Sequence, residues 1–300
     1  MILSRKGFDE RNGGFASPIL EDGQMISLPI PATDPKEDHR IHYAKLRYGK
    51  NKKLIELLEG MGINEINGRS VRKSSAHLDP DLRQESYPRR PGWRGLFGIN
   101  GRCQTHIEKN GGVNIGDLFL FFGWFEEYRR DRGNRLASVG NTKDYRSGRH
   151  VIFGYLQIDK GLPLWNMKPH EAGIEKWMDY HPHIGKDRRI VGDTYFRKNT
   201  LYVAQKKLTS AKKPGFGLFR YDRDSAKHIT LTKKGCSRAQ WRLPRAFTTP
   251  KRVKISWNPN GWKTWEKEGY FQSADIGQEF VIEECAEIEK WAKSLVRNFA

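Results

Sequence analysis

The sequence of 300 residues predicts one α+β domain, built on a mixed or barrel-like sheet with flanking helices. Segments 113–125 and 150–158 are almost continuously apolar, which is typical of strands buried on both faces. Residues 276–299 carry apolar side chains at helical spacing and predict an amphipathic C-terminal helix. No repeat, low-complexity linker or change in composition divides the chain, so residues 1–300 are expected to fold together.

The N-terminal elements can be assigned in order. Residues 1–4 predict a strand, Gly13-Gly14 a turn, and Glu21-Asp22-Gly23 the turn of a hairpin. Residues 50–60 predict a helix, because their leucines and isoleucine lie on one helical face. Residues 74–101 are rich in Pro, Gly and Arg, and a loop of that length is typically functional.

Later elements follow from the two apolar segments. The Gly116-Asp117 turn introduces the first buried strand, residues 126–149 form a charged surface excursion, and residues 200–204 predict another strand. The motifs GDLFLFF and VIFGYLQI resemble the strand pair of the PUA, ASCH and EVE-like barrels. That resemblance implies a barrel-like sheet and binding of RNA or modified bases.

Charge and cysteine content exclude several classes of protein. The chain has 54 Lys and Arg against 35 Asp and Glu, a net charge of +19. No apolar run approaches the ~20 residues of a membrane-spanning helix, and the first residues turn basic too early for a signal peptide. Cys103, Cys236 and Cys285 are widely separated, which predicts reduced thiols. A soluble cytoplasmic protein without membrane attachment is expected.

A basic zone predicts the surface that binds nucleic acid. Residues 201–270 contain 17 Lys and Arg against four Asp and Glu, with several aromatic residues between them. Surfaces that bind nucleic acid have this composition, because their cations pair with phosphates and their aromatic rings stack on bases. A solvated basic face is the alternative, but the high net charge favours a polyanion such as a nucleic acid. The candidate DNA-binding residues are Lys233, Lys234, Arg238, Trp241, Arg242 and Arg245.

The usual cofactor motifs are missing from the sequence. It has no phosphate-binding loop, dinucleotide fingerprint, deaminase zinc motif or serine nucleophile elbow. The pair His181-x-His183 supplies only two metal ligands without a spaced third. We therefore predict chemistry without a cofactor and without a metal.

Three short segments carry polar residues suited to chemistry. They are Lys6-Gly7-Phe8-Asp9 after the first strand, the segment 77–82 with His77, Asp79 and Asp81, and Gln104-Thr105-His106 before the buried strand. Together they offer acids, a cation and an amide for hydrogen bonds to a base. Each also has a structural alternative: Asp9 as a turn residue, Asp79 or Asp81 as a cap, and His106 as a structural histidine.

Ordered motifs along the chain resemble the third type of nucleotide-modification-associated domain. They are LSRKGFD, HLDPDL, GDLFLFFGWF, FGYLQI, SRAQWRLP and GQEFVI, and they extend from Leu3 to Ile282. The resemblance implies action on modified DNA bases in phage-related and bacterial conflict systems. Its implied functional residues are Lys6, Asp9, His77, Asp79, Gln104 and Asp117, of which Asp117 has the alternative role of a turn residue.

Three functions compete for these features. A DNA glycosylase needs a basic surface, a pocket for a flipped base and a carboxylate, and it needs no cofactor. A nuclease would need a metal-binding acid cluster, for which Asp79 and Asp81 are a minimal candidate. A non-enzymatic reader of modified DNA is the third hypothesis, and a transferase lacks any donor-binding motif. We favour a glycosylase of anti-phage defence that acts on hydroxymethylated or glucosylated cytosine.

The glycosylase hypothesis assigns a role to each candidate. Asp9 or Asp79 is the catalytic carboxylate, and Lys6 contacts the phosphate or substituent or attacks C1′. His77, Gln104 and His106 bind the substrate. Phe122, Trp124 and Tyr155 are candidates to stack on the flipped base, with a place in the core as the alternative.

Overall fold

The computed structural model describes residues 1–32, 41–133, 135–139, 144–145, 148–165, 172–184, 197–249, 251–273 and 278–300. The α-helices within these ranges are α1 (Leu54–Gly60), α2 (Gly101–Lys109), α3 (Ala226–Ile229), α4 (Trp265–Glu268) and α5 (Ala286–Phe299). The strands are β1 (Ile2–Arg5), β2 (Ser17–Ile19), β3 (Arg47–Gly49), β4 (Lys52–Lys53), β5 (Glu65–Ile66), β6 (Arg69–Ser70), β7 (Leu96–Ile99), β8 (Leu118–Arg130), β9 (Leu136–Ser138), β10 (Arg149–Pro163), β11 (Thr200–Ala204), β12 (Phe216–Leu218), β13 (Gln240–Trp241), β14 (Phe271–Gln272) and β15 (Glu279–Val281).

One large mixed sheet organises the molecule. Its main path is β15-β1-β8-β10-β11-β7, with β2 and β9 pairing with β8 and β12 pairing with β10. β1 and β2 run parallel to β8, whereas the remaining pairs are antiparallel. The predicted α+β class with a mixed sheet is therefore confirmed.

The two apolar segments form the centre of this sheet, as the sequence predicts. β8 and β10 pair antiparallel, and Phe119, Leu120, Phe121 and Phe122 of β8 are fully buried. Side chains at successive positions of a strand point to opposite faces, so both faces of β8 are covered. Smaller clusters cover α1 and the N-terminal loops, and the outer face of β7 and β11.

The sheet is curved but not closed into a barrel. Within the described residues, β15 and β7 end the sheet at opposite ends of its order, and no backbone ladder joins them. Curvature nevertheless brings the two ends together, because Nζ of Lys6 lies 4.8 Å from the ring centre of Phe97. The sheet is thus mixed and curved without the closure of a barrel. Its two ends lie on either side of one space.

The sequence misplaced several element boundaries. The helix predicted over 50–60 begins at Leu54, and the one predicted over 276–299 begins at Ala286. Phe280 and Val281 belong instead to β15, which pairs with β1. Their apolar side chains fit a helical period as well as a strand, and no Gly or Pro separates β15 from α5. The predicted loop 74–101 contains β7, and β8 extends five residues into the predicted excursion.

Candidate functional site

A pocket of about 220 Å³ lies where the two ends of the curved sheet meet. It is lined by residues after β1, at the start of β15, at the end of β7 and in α2, together with the loop around residue 78 and the 3₁₀-helix Pro182–Ile184. Four predicted site residues share it with three that were not selected from the sequence: Lys6, Asp9, His77 and Asp79, joined by Cys103, His183 and Glu279.

Lys6 and Glu279 form a buried ion pair in this pocket. Nζ of Lys6 donates to Oε1 of Glu279 at 2.8 Å, and the two side chains are 12% and 0% exposed. Oε2 of Glu279 has no hydrogen-bond partner. Burial lowers the pKa of Lys6, but the charges of Glu279 and Asp79 outweigh it and leave the pKa above its usual value. Lys6 is therefore a fixed cation at neutral pH, which argues against its role as a nucleophile toward C1′.

Asp79 is the most strongly held acid in the pocket. The backbone N–H of Gly98 donates to its Oδ1 at 2.8 Å, and Nε2 of His181 lies 3.4 Å from the same oxygen. Oδ2 lies 4.0 Å from Nε2 of His77 and 3.9 Å from Nε2 of His183. Burial raises the pKa of Asp79, but the three histidines outweigh it and lower the pKa to about 2, so the carboxylate is ionised at neutral pH.

The position of His183 depends on two neighbours. Its Nδ1 lies 2.6 Å from Oδ1 of the buried Asn199, whose Nδ2 donates to the His183 carbonyl oxygen at 3.0 Å. The ring packs directly over Gly98, where an added Cβ would lie 2.2 Å from ring carbons. The glycine thus provides the space that lets His183 face Asp79. One ligand atom from each of His77, Asp79 and His183 lies within 4.8 Å of the others, so these three residues could hold a metal ion.

Asp9 lines the same pocket but already has a structural role. Its Oδ1 accepts hydrogen bonds from the backbone N–H of Arg11 at 2.8 Å and of Asn12 at 2.7 Å. This is the pattern of an Asx turn, the alternative that the sequence left open. Between the two candidate acids, Asp79 is therefore better placed for chemistry.

Asp81 does not join Asp79 in an acid cluster. Its carboxylate is fully buried and accepts two 2.6 Å hydrogen bonds from Arg89. Tyr180 donates to the same carboxylate at 2.5 Å. The nuclease hypothesis loses its second acid, because Asp81 is occupied in a structural network.

Other predicted substrate residues lie outside the pocket. Gln104 is buried and accepts a hydrogen bond from Tyr202 while donating to Glu108. His106 binds Ser256 and stacks on Trp257, with ring centres 4.0 Å apart. Asp117 accepts a hydrogen bond from the backbone of Asn114, which fits its turn alternative.

The predicted stacking residues belong mainly to the core. Phe122 and Tyr155 are 0% and 2% exposed, so they cannot stack on a substrate base without unpacking the sheet. Trp124 is half-buried, and the guanidinium of Arg238 covers its ring at 4.3 Å. Trp241, predicted to contact DNA, is also fully buried and donates to Nδ1 of His150 at 3.0 Å. Trp241, an aromatic residue of the basic zone, thus fills the core.

The basic side chains of that zone converge on a second feature, a groove of about 860 Å³. Four predicted DNA-binding residues line it: Lys233, Lys234, Arg242 and Arg245. The aromatic side chains of Trp265 and Trp291 also line this groove. Arg238 instead pairs with Glu10 at 2.6 Å. We call this feature the basic groove.

Sequence reasoning missed two residues of the pocket. Glu279 lies in the motif GQEFVI, but assignment of that segment to a helix hid its position beside Ser4 of β1. His183 was considered only with His181, although its partners in the fold are His77 and Asp79. Only the tertiary structure brings these distant segments together.

Comparison with protein families identifies the chain's relatives. A family model described as nucleotide modification associated domain 3 matches residues 1–283, so α5 lies beyond the matched region. No match was found among curated proteins or among solved structures. Within the described residues, no helix has the length and apolar character needed to cross a bilayer. The chain belongs to the nucleotide modification associated domain 3 family, a domain associated with nucleotide modification.

Proposed function

We propose that this protein is a DNA glycosylase that flips a modified cytosine out of duplex DNA and hydrolyses its N-glycosidic bond in the pocket of Lys6, Asp79 and Glu279. The supporting observation is the convergence of a fixed cation and two buried carboxylates on one enclosed space. We place this activity in the cytoplasm, in defence against phage DNA with hydroxymethylated or glucosylated cytosine.

The size of the pocket favours a small substituent on the base. Its 220 Å³ lies below the ~300–1,000 Å³ typical of sites for drug-sized ligands. A base inside a duplex is inaccessible to such a pocket, so the nucleotide must leave the stack. Hydroxymethylcytosine is therefore the first substrate to test, and its glucosylated form the second.

Glu279, Lys6 and Asp79 each have a separate role in the proposed hydrolysis. The Oε2 atom of Glu279, which has no hydrogen-bond partner, accepts a proton from the attacking water as that water forms a bond to C1′. The C1′–N bond breaks, and its electron pair leaves with the base. Lys6 donates a hydrogen bond to the departing base, where negative charge develops, and the released base takes up the proton that Glu279 accepted, which regenerates the carboxylate. Asp79 supplies negative charge near the cationic sugar of the transition state.

The basic groove would bind the phosphates of the duplex. Arg242 and Arg245 are exposed and lie with Lys233 and Lys234 along one concave surface. Contacts to phosphates position a protein on DNA without reading its sequence, which suits an enzyme that selects a modification rather than a site.

The test is base release under single-turnover conditions. Duplex oligonucleotides with one cytosine, hydroxymethylcytosine or glucosylated hydroxymethylcytosine are incubated with excess protein, and free base, abasic sites and strand breaks are measured. We expect release only from a modified duplex, and a loss on the order of a hundredfold in Glu279→Gln. Glu283→Gln is the matched control, since Glu283 pairs with Lys251 at the surface.

Two outcomes would replace the proposal. Tight binding of modified DNA without release of any base would make the protein a reader. Strand breaks that leave every base attached would make it a nuclease. Melting temperatures of both glutamate variants separate loss of chemistry from loss of folding, because breaking a buried pair destabilises a protein by about 3–5 kcal/mol.

A further inference from the structure

We infer that His77, Asp79 and His183 form a binding site for a divalent transition-metal ion, with Zn²⁺ as the ion of matching chemistry. The three residues come from the loop before β7 and from the 3₁₀-helix Pro182–Ile184, and the site depends on the tertiary fold. Three ligands of this kind, two imidazoles and a carboxylate, are a recurrent catalytic metal set.

The two oxygens of Asp79 have different surroundings. Oδ1 is held by the Gly98 N–H and faces the Nε2 of His181. The backbone N–H of His183 donates to Nδ1 of His181 at 3.3 Å, so the proton of neutral His181 lies on Nε2, toward Asp79. Oδ2 instead faces the Nε2 atoms of His77 and His183. One oxygen is thus anchored by the protein, and the other points at two imidazole nitrogens.

The orientation of His183 determines which nitrogen carries its lone pair. Nδ2 of Asn199 donates to the His183 carbonyl, so Oδ1 is the amide atom that meets Nδ1 of the ring. An amide oxygen only accepts hydrogen bonds, and Nδ1 must therefore carry a proton. In neutral imidazole, Nε2 then holds a lone pair directed at Asp79. A hydrogen bond from the other ring nitrogen to an oxygen of the protein is typical of metal-binding histidines, because it fixes the orientation of the ring.

This arrangement gathers three candidate ligand atoms in one buried site. Nε2 of His183 and Oδ2 of Asp79 are 3.9 Å apart, and both side chains are 5% exposed. Nε2 of His77 approaches the same oxygen, at 4.0 Å. A single cation among these atoms would engage all three residues.

The distances suit an ion after small side-chain movements. Tetrahedral Zn²⁺ with bonds of about 2.0–2.1 Å separates its ligand atoms by about 3.4 Å. The observed separations from Oδ2, 3.9 and 4.0 Å, need to shorten by about half an ångström, and the remaining separation in the set, which is within 4.8 Å, by up to about 1.4 Å. Imidazole nitrogens favour transition metals, whereas Mg²⁺ and Ca²⁺ prefer sets of oxygen ligands.

The role of the ion rests on the proposed function, whereas its binding does not. Three protein ligands leave a position for water, and Glu279 lines the same pocket. A bound ion would lower the pKa of that water, and Glu279 would take its proton as the oxygen bonds to C1′. Asp79 would then act as a ligand of the ion and not as a free charge beside the sugar. The electron pair of the broken C1′–N bond leaves with the base, so the step is hydrolytic and needs no oxidant or reductant.

Metal binding is tested without DNA. The full chain is stripped with a chelator and titrated with Zn²⁺ by calorimetry and with Co²⁺ by visible absorption. We expect one ion per chain, competition between Zn²⁺ and Co²⁺, and no competition from Mg²⁺. His183→Ala and Asp79→Asn should abolish binding. His228→Ala is the matched control, because His228 is exposed, stacks on Phe299 and lies outside this pocket.

Gly98→Ala gives a second variant that removes no ligand. Its methyl group would displace the His183 ring, and we expect affinity to fall by roughly 10–100-fold, as when a residue that orients a metal ligand is lost. The inference is overturned if the wild type binds neither ion, or if His183→Ala and Gly98→Ala bind as tightly as wild type. Metal binding without base release overturns the proposed function and leaves the site standing. Base release that is unchanged in a chelator overturns the catalytic role of the ion.

Discussion

The pocket and the basic groove are both rich in charge, but they hold it in different ways. In the pocket, Lys6 and Glu279 are almost completely buried and form one specific pair. In the groove, the side chain of Lys234 is 71% exposed although it pairs with Asp144. Buried charges depend on exact partners, because an unpaired buried charge is costly. Exposed cations bind phosphates through counterion release, which tolerates varied geometry. Single substitutions should therefore matter in the pocket, and only combined ones in the groove.

The largest effect is expected at Asp79. Asp79→Asn keeps the size of the side chain and removes its charge, so it should lower single-turnover base release by on the order of a hundredfold, equivalent to ~3 kcal/mol. Binding of modified DNA should be retained, because the groove is untouched. Rates, affinity and melting temperature are measured together.

Asp9→Asn is the control for this prediction. The Oδ1 of Asp9 accepts the hydrogen bonds of an Asx turn, and Asn can form the same turn, so we expect a near-normal rate with little change in melting temperature. A full rate in Asp79→Asn would remove Asp79 from the mechanism. A strong loss of rate in Asp9→Asn, with unchanged melting, would transfer the role to Asp9.

The groove should respond to combined charge reversal. Neutralising about six phosphates gives a log K against log[salt] slope of roughly −5. Replacement of Lys233, Lys234, Arg242 and Arg245 with Glu should weaken DNA binding by about 10–100-fold and flatten the slope to roughly −2. Lys251→Glu with Arg252→Glu is the control, since these residues belong to the same basic zone but do not line the groove. Equal effects in both variants would mean that net charge, and not the groove, governs binding.

A smaller effect is expected in the pH dependence of stability, at His150, whose backbone N–H donates to the groove-lining Thr232. Burial and the nearby Arg238 and Arg5 hold its pKa well below the usual 6.5. Below pH 6.5, His150 is therefore protonated in the unfolded chain but stays neutral in the folded chain. The free energy of unfolding should fall by about 1.4 kcal/mol for each pH unit below 6.5 on account of this residue. Denaturation of wild type and His150→Gln at pH 7, 6 and 5 isolates this slope, which His228→Gln should leave unchanged.

The smallest effect is expected in the alkylation rate of Cys103, whose thiol lies in the pocket and responds to the charge of Glu279. Burial, followed by the charge of Glu279, raises the pKa of its thiol to about 12. Alkylation of the folded protein at pH 9 should be slow, since the thiolate is the reactive form. Glu279→Gln should increase that rate a few-fold, as followed by mass spectrometry. An unchanged rate in a folded variant would mean that burial alone protects the thiol.

The sequence predicts those parts of the molecule that depend on local pattern. β8 and β10 are recognisable because strands buried on both faces are continuously apolar, and β11 is predicted with its observed bounds. β15 is not recognisable, because three residues beside a helix carry no period of their own. Charge density predicts the groove lysines and arginines, but composition cannot distinguish the buried Trp241 from the groove-lining Trp265.

The pocket is predicted only in part for a related reason. Lys6, Asp9, His77 and Asp79 lie in motifs that carry the family resemblance, and the fold brings them together. The roles of Glu279 and His183 depend on contacts across many residues of sequence, such as the pairing of β15 with β1. A linear pattern contains no record of that pairing.

The pairing of β15 with β1 also has a consequence for biosynthesis. Lys6 and Glu279 are 273 positions apart, so the pocket is incomplete until almost all of the family-matched region has been translated. At roughly 5–20 residues per second, a ribosome needs on the order of 14–55 s between these two codons. Contacts of such long range also slow folding, because the loop must close before they form. A nascent chain that already exposes its first strand thus lacks Glu279 and a complete pocket, and no shortened fragment that ends before Glu279 is expected to form one.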